Sequence, residues 1–308
     1  MKKLEGTDLA VSALCFGTCP VALTLEENEL FRLLDRFAAE GGNFLDTANV
    51  YGKWAPWHTN LCEQRVGRWL RTHKNAVVAT KGCHYDLDDP AHPSRVNEQA
   101  LRQDLEESLR TLGVETIDLY WLHRDDPAKP IGEILEMCEA QRRAGKLRWY
   151  GASNFTAARL EQARQYAAAH GLSGFAAVSN QWSLAETTPQ RNNNPDPTVV
   201  LMGPAEAAFH TRTGTPCIPY QATARGWFAK TAAGQPVAPE VARAFDTPAN
   251  RAVLARLQRQ AAETGHSVQA LALAGLAKQP FPVFPVTAAG SDAQLETLLE
   301  ALHLLEEI

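Results

Sequence analysis

Four side chains suited to proton transfer lie at or just after the ends of apolar runs: Asp46, Tyr51, Lys81 and His123. A tyrosine hydroxyl titrates near ~10 in a model peptide, so Tyr51 could exchange a proton at neutral pH only if its anion were stabilised. A nearby Lys81 ammonium would stabilise the phenolate, and Asp46 could hold that ammonium charged and in place. His123 could hydrogen-bond a substrate oxygen or relay a proton. These groups suit protonation of a carbonyl oxygen while a hydride reaches the carbonyl carbon.

Hydride transfer requires a cofactor, and side chains that could hold a nicotinamide follow three later apolar runs. They are Ser153, Asn154, Gln181 and Tyr220. Hydroxyl and amide groups at the first three positions could bind the nicotinamide carboxamide, and the Tyr220 ring could stack on the nicotinamide face.

The elements that must position these residues recur as eight short apolar runs. The runs cover residues 13–17, 43–48, 76–82, 117–123, 148–154, 176–181, 215–221 and 281–288. Most are apolar on both faces, which is typical of parallel strands covered by helices. We predict a β-strand for each run.

Four of the intervening segments have apolar residues at helical spacing and predict helices. These helices cover residues 25–41, 94–113, 130–146 and 155–171, the second with Ser94 as its cap. Eight strand–helix units in 308 residues predict a single α/β domain over 1–308, a (β/α)8 TIM barrel with its site where the strands end. A doubly wound sheet is the alternative, but it usually has a GxGxxG turn after its first strand, where this chain reads "CFGTCP".

Two segments interrupt the strand–helix alternation, and we predict both as long loops. Residues 186–197 are rich in Asn and Pro, and residues 225–248 follow the seventh strand. Loops of this length in a compact domain are usually functional or mobile. Two helical stretches follow, 248–265 and 267–279, one of which we expect to be the regular seventh helix and the other an addition.

Composition excludes several classes of partner. The net charge is −5 and the pI is near 6.0, so there is no basic surface for nucleic acid or anionic lipid. No apolar run approaches the ~20 residues of a membrane span. The N-terminal stretch lacks the long apolar segment of a secretory signal, so we expect a cytoplasmic protein. The six cysteines form no CxxC pair and are expected to be free, buried thiols.

The residues considered so far resemble the aldo-keto reductases over nearly the whole chain. The matching pieces include "FLDTANVYG" (44–52), "CEQRVGRWL" (62–70), "ATKG" (79–82), "GKLRWYGASNF" (145–155) and "VSNQWSL" (178–184), together with the long segment 105–127. The resemblance implies a (β/α)8 barrel that binds NAD or NADP in extended form, without a Gly-rich fingerprint and without a metal. It implies Tyr51 as general acid/base, Lys81 and Asp46 as groups that tune its pKa, and His123 as the group that orients substrate.

The resemblance also implies a set of cofactor contacts. They fall on Gly17, Thr18, Asp46, Ser153, Asn154, Gln181, Tyr220, Gln221, Ala289, Gly290, Ser291 and Gln294. Family members often have a cation near the last of these positions, to bind a 2′-phosphate. Here the stretch reads "TAAGSDAQLETLLEAL", which offers no cation, and Asp292 would repel the phosphate. We therefore predict that NADH is usable and that NADPH is not strongly preferred.

The substrate side of the predicted site is aromatic. Trp54, Trp57 and His58 follow Tyr51 and would line the mouth with His123, which suits sugars or aromatic aldehydes. The alternative is that these loop residues pack on the barrel rim. A loop containing His84, Asp86, Asp88 and His92 has metal-binding residue types, but its spacing fits no metal motif and we predict no metal site.

The leading functional prediction is an NAD(P)-dependent oxidoreductase acting on a small aldehyde, ketone or sugar. One alternative is a barrel that binds the cofactor as a regulatory subunit without catalysis, which would have no need of Tyr51 beside Lys81. The other is a Schiff-base lyase with Lys81 as the nucleophile.

Overall fold

A computed structural model describes residues 1–89 and 91–307, and its centre is a parallel sheet. The chain begins with a two-stranded hairpin, β1 (Lys2–Lys3) and β2 (Ala10–Val11). The parallel strands are β3 (Cys15–Gly17), β4 (Phe44–Asp46), β5 (Val77–Gly82), β6 (Ile117–Leu122), β7 (Leu147–Ser153), β8 (Val178–Ser179) and β9 (Val286–Thr287). Their order across the sheet is β8-β7-β6-β5-β4-β3-β9.

The two edges of this sheet are joined by the predicted seventh strand, so the sheet closes into a barrel. Cys217 forms parallel bridges to Val178 on one side and to Val283 on the other. The predicted strands 215–221 and 281–288 therefore take their expected places, but they pair regularly over only a few residues. Prolines explain the interruption, because proline has no N–H to donate to a neighbouring strand. Pro216 and Pro219 lie in the first segment.

The barrel interior is filled by side chains that point inward from successive strands, among them Phe44, Leu119, Trp121 and Phe284. Leu4, Leu9 and Val11 of the hairpin pack against the same cluster. A barrel of this size is a packed core and has no open channel, so its chemistry must lie at an end.

Helices surround the sheet. They are α1 (Val21–Thr24), α2 (Glu27–Ala39), α3 (Leu61–Trp69), α4 (Glu98–Leu112), α5 (Ile131–Arg143), α6 (Ala157–His170), α7 (Pro189–Asn192), α8 (Pro204–Thr213), α9 (Trp227–Ala232), α10 (Pro239–Phe245), α11 (Pro248–Thr264), α12 (Val268–Ala277) and α13 (Asp292–Glu306). The four helices predicted over 25–41, 94–113, 130–146 and 155–171 correspond to α2, α4, α5 and α6 and begin one to four residues later than predicted. The predicted Ser94 cap is wrong. Asn97 caps α4, because its side chain accepts a hydrogen bond from the Ala100 amide at 2.9 Å.

The segment predicted as a long loop over 225–248 is largely helical, since α9 and α10 lie within it. These helices pack with α11 into an apolar cluster separate from the barrel core, which includes Trp227, Phe245 and Leu257. Leu273 and Leu276 of α12 belong instead to the main core, so α12 is the regular seventh helix and α11 the addition.

Two further observations describe the molecule as a whole. All six cysteines are unpaired, and Cys19 alone of the six is not fully buried. Within the part of the chain that the structure describes, no helix has both the length and the apolar character needed to cross a bilayer.

Candidate active site

Three of the four predicted catalytic residues lie where adjacent parallel strands end. Asp46 is the last residue of β4, Lys81 lies near the end of β5 and His123 follows β6 directly. All three are buried. The Lys81 ammonium donates hydrogen bonds to Asp46 Oδ2 and, at 2.8 Å, to the carbonyl oxygen of Thr47. The buried cation is therefore paired and hydrogen-bonded, as burial requires.

Tyr51 reaches the same place from the turn that follows β4. Its amide donates to the Ala48 carbonyl at 3.0 Å, and the Asn49 amide donates to the Lys81 carbonyl at 2.9 Å, which holds this turn against β5. Lys81 Nζ lies 4.9 Å from the centroid of the Tyr51 ring. The Tyr51 and His123 ring centroids are 5.9 Å apart. The side chains of the four predicted residues are therefore close together at the carboxyl ends of β4, β5 and β6.

The electrostatics of the phenol differ from the expectation. Burial raises the pKa of Tyr51 to about 12, and the charge of Lys81 lowers it only in part. Burial also disfavours the charged form of Lys81, but the charge of Asp46 and the hydrogen bond between the two side chains outweigh it and raise the Lys81 pKa. At neutral pH the site therefore holds a protonated phenol next to a protonated amine.

His123 is a neutral imidazole. Burial, together with the positive charges of Arg124 and Lys81 and the neighbouring His84, lowers the pKa of His123 well below its usual value. Its Nδ1 atom is buried and has no hydrogen-bond partner in the ranges 1–89 and 91–307. The ring centroids of His84 and His123 are 4.8 Å apart. Burial lowers the pKa of His84 to about 4.

A cavity of about 270 Å³ opens beside these groups. Its walls include Tyr51, Lys81 and His123, together with Trp54, which is 49% exposed and has its ring centroid 5.8 Å from that of Tyr51. Trp57 is 47% exposed and is not part of the cavity wall. His58 also lies outside it, since its Nδ1 contacts the Lys53 carbonyl at 3.1 Å. Of the three loop residues predicted to line the substrate mouth, Trp54 lines this cavity, whereas Trp57 and His58 do not.

The predicted nicotinamide contacts divide between two cavities. Ser153, Asn154 and Tyr220 line the cavity beside Tyr51. Asn154 Oδ1 accepts from the Tyr220 hydroxyl at 2.7 Å, so these two side chains fix each other. Gln181 instead lines an adjacent cavity of about 390 Å³. Its amide exchanges hydrogen bonds with that of Asn192 at 3.2 and 3.3 Å.

The loop after the seventh strand has backbone donors suited to a phosphate. Gln221 has φ = 56°, a left-handed conformation that is unusual for a residue other than glycine. No described residue accepts a hydrogen bond from the amides of Ala222 and Thr223, which follow it. Free amides in such a turn form a concave anion-binding surface. The Ser153 hydroxyl in the cavity beside Tyr51 and these backbone donors are groups of the types that a nicotinamide dinucleotide requires, whereas the side-chain amides of Asn154 and Gln181 are bonded to other protein groups.

The remaining predicted cofactor residues lie at the start of α13 and at the end of β3. Ser291 caps α13, and Gln294 Oε1 accepts from the Gly290 amide at 2.8 Å. Ala289 is buried just before them. A Cβ atom on Gly17 would lie 2.9 Å from a Val286 methyl, so a larger residue at this position would force Val286 to shift. Thr18 donates from both its amide and its hydroxyl to the Asp46 carbonyl, at 2.9 and 3.0 Å.

The expectation of no cation near Asp292 is wrong, because α2 supplies two. Arg32 donates to Asp292 at 2.6 and 3.1 Å, and Arg36 donates to Asp292 at 3.0 Å and to Glu296. The two cations are matched by two carboxylates, so this surface is formally neutral.

Two charged residues at the cavity were not predicted. Arg124 and Asp196 both line it and pair with each other at 2.7 Å. Arg124 directly follows His123, in "WLHRDD", which could have placed it at the same strand end. Nothing in the sequence pairs it with Asp196, 72 residues later.

The histidine- and aspartate-containing loop forms no metal centre in the described ranges. No group of three His, Cys, Asp or Glu side chains there could hold a metal ion. His84 contacts the backbone carbonyl of Tyr85 at 3.1 Å through Nδ1.

Comparisons with known proteins place this geometry in context. A model of the aldo/keto reductase family matches residues 13–307. The uncharacterized oxidoreductase YrpG of Bacillus subtilis is 34% identical over 193 residues, which cover 60% of this chain and 58% of that protein. Norsolorinic acid reductase B of Aspergillus parasiticus is 28% identical, covering 60% of this chain and 50% of that protein. An NADP(+) aryl-alcohol dehydrogenase of Phanerodontia chrysosporium is 28% identical, covering 55% and 45%. The chain thus spans about half the length of these relatives.

Proposed function

Since the chain belongs to the aldo/keto reductase family, we propose that it is an NAD(P)-dependent oxidoreductase that interconverts a carbonyl compound and an alcohol. The observation that carries the proposal is the convergence of Asp46, Tyr51, Lys81 and His123 at one cavity. A protein that only binds a cofactor would have no use for a phenol held beside a buried ammonium.

Tyr51 is the general acid for reduction. When bound, the reduced nicotinamide supplies a hydride to the carbonyl carbon. The developing charge on the carbonyl oxygen is then neutralised by the proton of the Tyr51 hydroxyl. With a pKa of about 12, Tyr51 holds this proton throughout the neutral range and releases it only to a strongly basic oxygen.

Lys81 and Asp46 act on the phenolate that remains. The Lys81 ammonium lies next to the phenol and stabilises its anion, in a site where burial strengthens the interaction. Asp46 and the Thr47 carbonyl hold the ammonium in position. Because Lys81 is protonated and paired, it is a poor amine nucleophile, which disfavours a Schiff-base lyase.

His123 orients the substrate oxygen. Its low pKa keeps the imidazole neutral, so it donates a hydrogen bond to the carbonyl and leaves proton transfer to Tyr51. Its ring centroid lies 5.9 Å from that of Tyr51, and both residues line the same cavity.

The substrate is a small aromatic aldehyde or ketone, in preference to a sugar. The cavity of about 270 Å³ is small and also contains the predicted nicotinamide contacts Ser153, Asn154 and Tyr220, which favours a small substrate. Trp54 provides an aromatic wall beside Tyr51. The names of two relatives, norsolorinic acid reductase and aryl-alcohol dehydrogenase, also favour an aromatic substrate. The cofactor is NAD or NADP, with NAD favoured because the cations near Asp292 are already paired.

The test is a panel of benzaldehydes and sugars with NADH and NADPH, followed by the absorbance of the reduced cofactor. Tyr51→Phe is expected to lower kcat by about 10²- to 10⁴-fold, because it removes the transferred proton. Tyr166→Phe is the matched control, since this hydroxyl lies on α6 and contacts Glu136. Full activity of Tyr51→Phe, or equal losses in both variants, would refute the acid/base assignment.

A further inference from the structure

One wall of the cavity beside Tyr51 is formed by a loop that an ion pair connects to the end of β6. Asn194, Asp196 and Val199, in the segment between α7 and α8, belong to this wall. Arg124 donates to Asp196 Oδ2 from Nε at 3.2 Å and from a terminal nitrogen at 2.7 Å. The two side chains are only 12% and 11% exposed. Both charges therefore belong to the wall that a substrate would touch.

Each charge in this pair is also held by the backbone on its own side. A second terminal nitrogen of Arg124 donates to the His123 carbonyl at 2.7 Å. Asp196 Oδ1 accepts from the amide of Thr198 at 2.9 Å. The guanidinium is thus fixed next to the proposed substrate-orienting histidine, while Asp196 Oδ2 is the oxygen that neutralises it.

The formal charges of the cavity cancel. Lys81 is paired with Asp46, and Arg124 is paired with Asp196. His84 and His123 are neutral because their pKa values lie far below 7. Transfer of a substrate carboxylate from water into such a cavity is unfavourable, because no unpaired cation among the described residues lines it to replace the hydration of the carboxylate.

We propose that Asp196 determines substrate charge specificity: it occupies the position at Arg124 that a substrate carboxylate would otherwise take, and so restricts the enzyme to neutral carbonyl compounds. This inference rests on the proposed oxidoreductase function for its kinetic consequence, but the binding preference follows from the ion pair alone. Without the Asp196 charge, Arg124 would be an unpaired, nearly buried guanidinium facing the cavity, which is the group best suited to bind a carboxylate through two hydrogen bonds.

The direct test is binding of benzoate, measured by isothermal titration calorimetry on the whole protein. Asp196→Asn keeps an oxygen that can accept from Thr198 and removes the charge that neutralises Arg124. We expect benzoate to bind this variant at least about tenfold more tightly than the wild type. The double variant with Arg124→Gln should lose the gain, because the guanidinium itself is absent.

The chain offers a matched control in a second, largely buried pair. Asp125 accepts from Arg159 at 2.9 and 3.1 Å, and neither residue lines the cavity. Asp125→Asn also leaves an arginine without its carboxylate, but it should not improve benzoate binding. Equal benzoate affinity in Asp196→Asn and wild type, or equal gains in Asp196→Asn and Asp125→Asn, would overturn the proposal.

Kinetics separate this inference from the function on which it rests. With benzaldehyde and 4-carboxybenzaldehyde as substrates, Asp196→Asn should raise the ratio of kcat/KM for the carboxylate over the neutral aldehyde by about tenfold. Turnover of benzaldehyde with an unchanged ratio would reject the role of Asp196 and leave the proposed function intact. If neither the wild type nor any variant turned over either aldehyde, the proposed oxidoreductase function would be rejected. The benzoate binding measurement would still decide whether Asp196 excludes carboxylates.

Discussion

At the scale of single residues, Tyr51 shows that burial and a neighbouring cation act in opposite directions on one hydroxyl. Lys81 is 4.9 Å from the Tyr51 ring, yet the pKa of Tyr51 is still raised to about 12 because burial dominates. The sequence could indicate that the two side chains meet, from the strand ends on which they lie. It could not indicate the sign of the net pKa shift, which depends on how much water the folded chain excludes.

This balance predicts different pH dependences for the two directions of the reaction. Reduction requires the protonated phenol, which persists up to a pKa of about 12, so kcat/KM for aldehyde reduction should be flat from pH ~6 to ~9. Alcohol oxidation requires the phenolate, whose fraction increases about tenfold per pH unit below the pKa, so kcat/KM should rise across the same range. Initial rates in both directions test this. A fall in reduction near pH ~8 would mean that Tyr51 loses its proton earlier than its environment indicates.

At the scale of elements, most of the barrel could be predicted because each strand is a short apolar run followed by a periodic helix. The additions were harder to predict. Pro239 stands at the first turn of α10, so a helix-start signal was present in the segment predicted as loop, whereas α11 lies within the helical stretch predicted over 248–265. The surrounding Gly, Gln and Ala residues have little apolar periodicity. Their helices depend on a side cluster of Trp227, Phe228 and Phe245 that forms only in the folded chain.

One contact between elements involves a buried acid. Glu63 of α3 is fully buried and accepts hydrogen bonds from Thr80 of β5 at 2.6 Å and from Asn60 at 2.9 Å. Burial raises the pKa of Glu63 to about 7. Its folded-state pKa is therefore above the unfolded value, so its contribution to stability is fully present below pH ~4.5 and is lost as the pH rises through ~7.

Glu63→Gln should therefore gain stability relative to the wild type as the pH increases from ~5 to ~8, by up to about 3 kcal/mol. Urea unfolding at several pH values measures the difference in free energy of unfolding. Glu27→Gln is the control, because the hydrogen bonds from Arg68 lower the pKa of Glu27. A difference between Glu63→Gln and wild type that does not change with pH would show that Glu63 is ionised in the folded protein at all these pH values.

At the scale of the whole molecule, the ion pairs between α2 and α13 connect segments about 260 residues apart in the chain. No local pattern predicts such a pairing, which is why Arg32 and Arg36 were missed and only Asp292 was noticed. The same reason applies to Arg124 and Asp196. Residues of the site that lie at strand ends could be predicted from sequence, whereas partners contributed by distant loops and helices could not.

The α2–α13 pairs lead to a prediction about cofactor choice. Asp292→Asn would remove one of the negative charges that neutralise Arg32 and Arg36, next to Ser291 and Gln294. The ratio of kcat/KM for NADPH over NADH should then rise, by about tenfold, because a 2′-phosphate would find an unpaired guanidinium.

Glu161→Gln is the matched control, since Glu161 also pairs with two arginines, Arg164 and Arg212, on another surface. Cofactor preference should be unchanged in that variant. If Asp292→Asn left the ratio unchanged, the adenosine end of the cofactor would lie away from the start of α13.

The prolines at the closure of the barrel have a consequence for folding. Four prolines in these segments have no N–H to donate to a neighbouring strand: Pro216, Pro219, Pro282 and Pro285. The backbone hydrogen bonds that remain come from residues between the prolines, as when the Cys217 amide donates to the Pro282 carbonyl at 2.9 Å. A proline ring also fixes one backbone torsion before folding begins, so these two segments have fewer conformations to lose. Where segments 215–221 and 281–288 close the barrel, a smaller loss of conformational entropy on folding therefore offsets the missing hydrogen bonds. Both segments are already nearly extended before they pair.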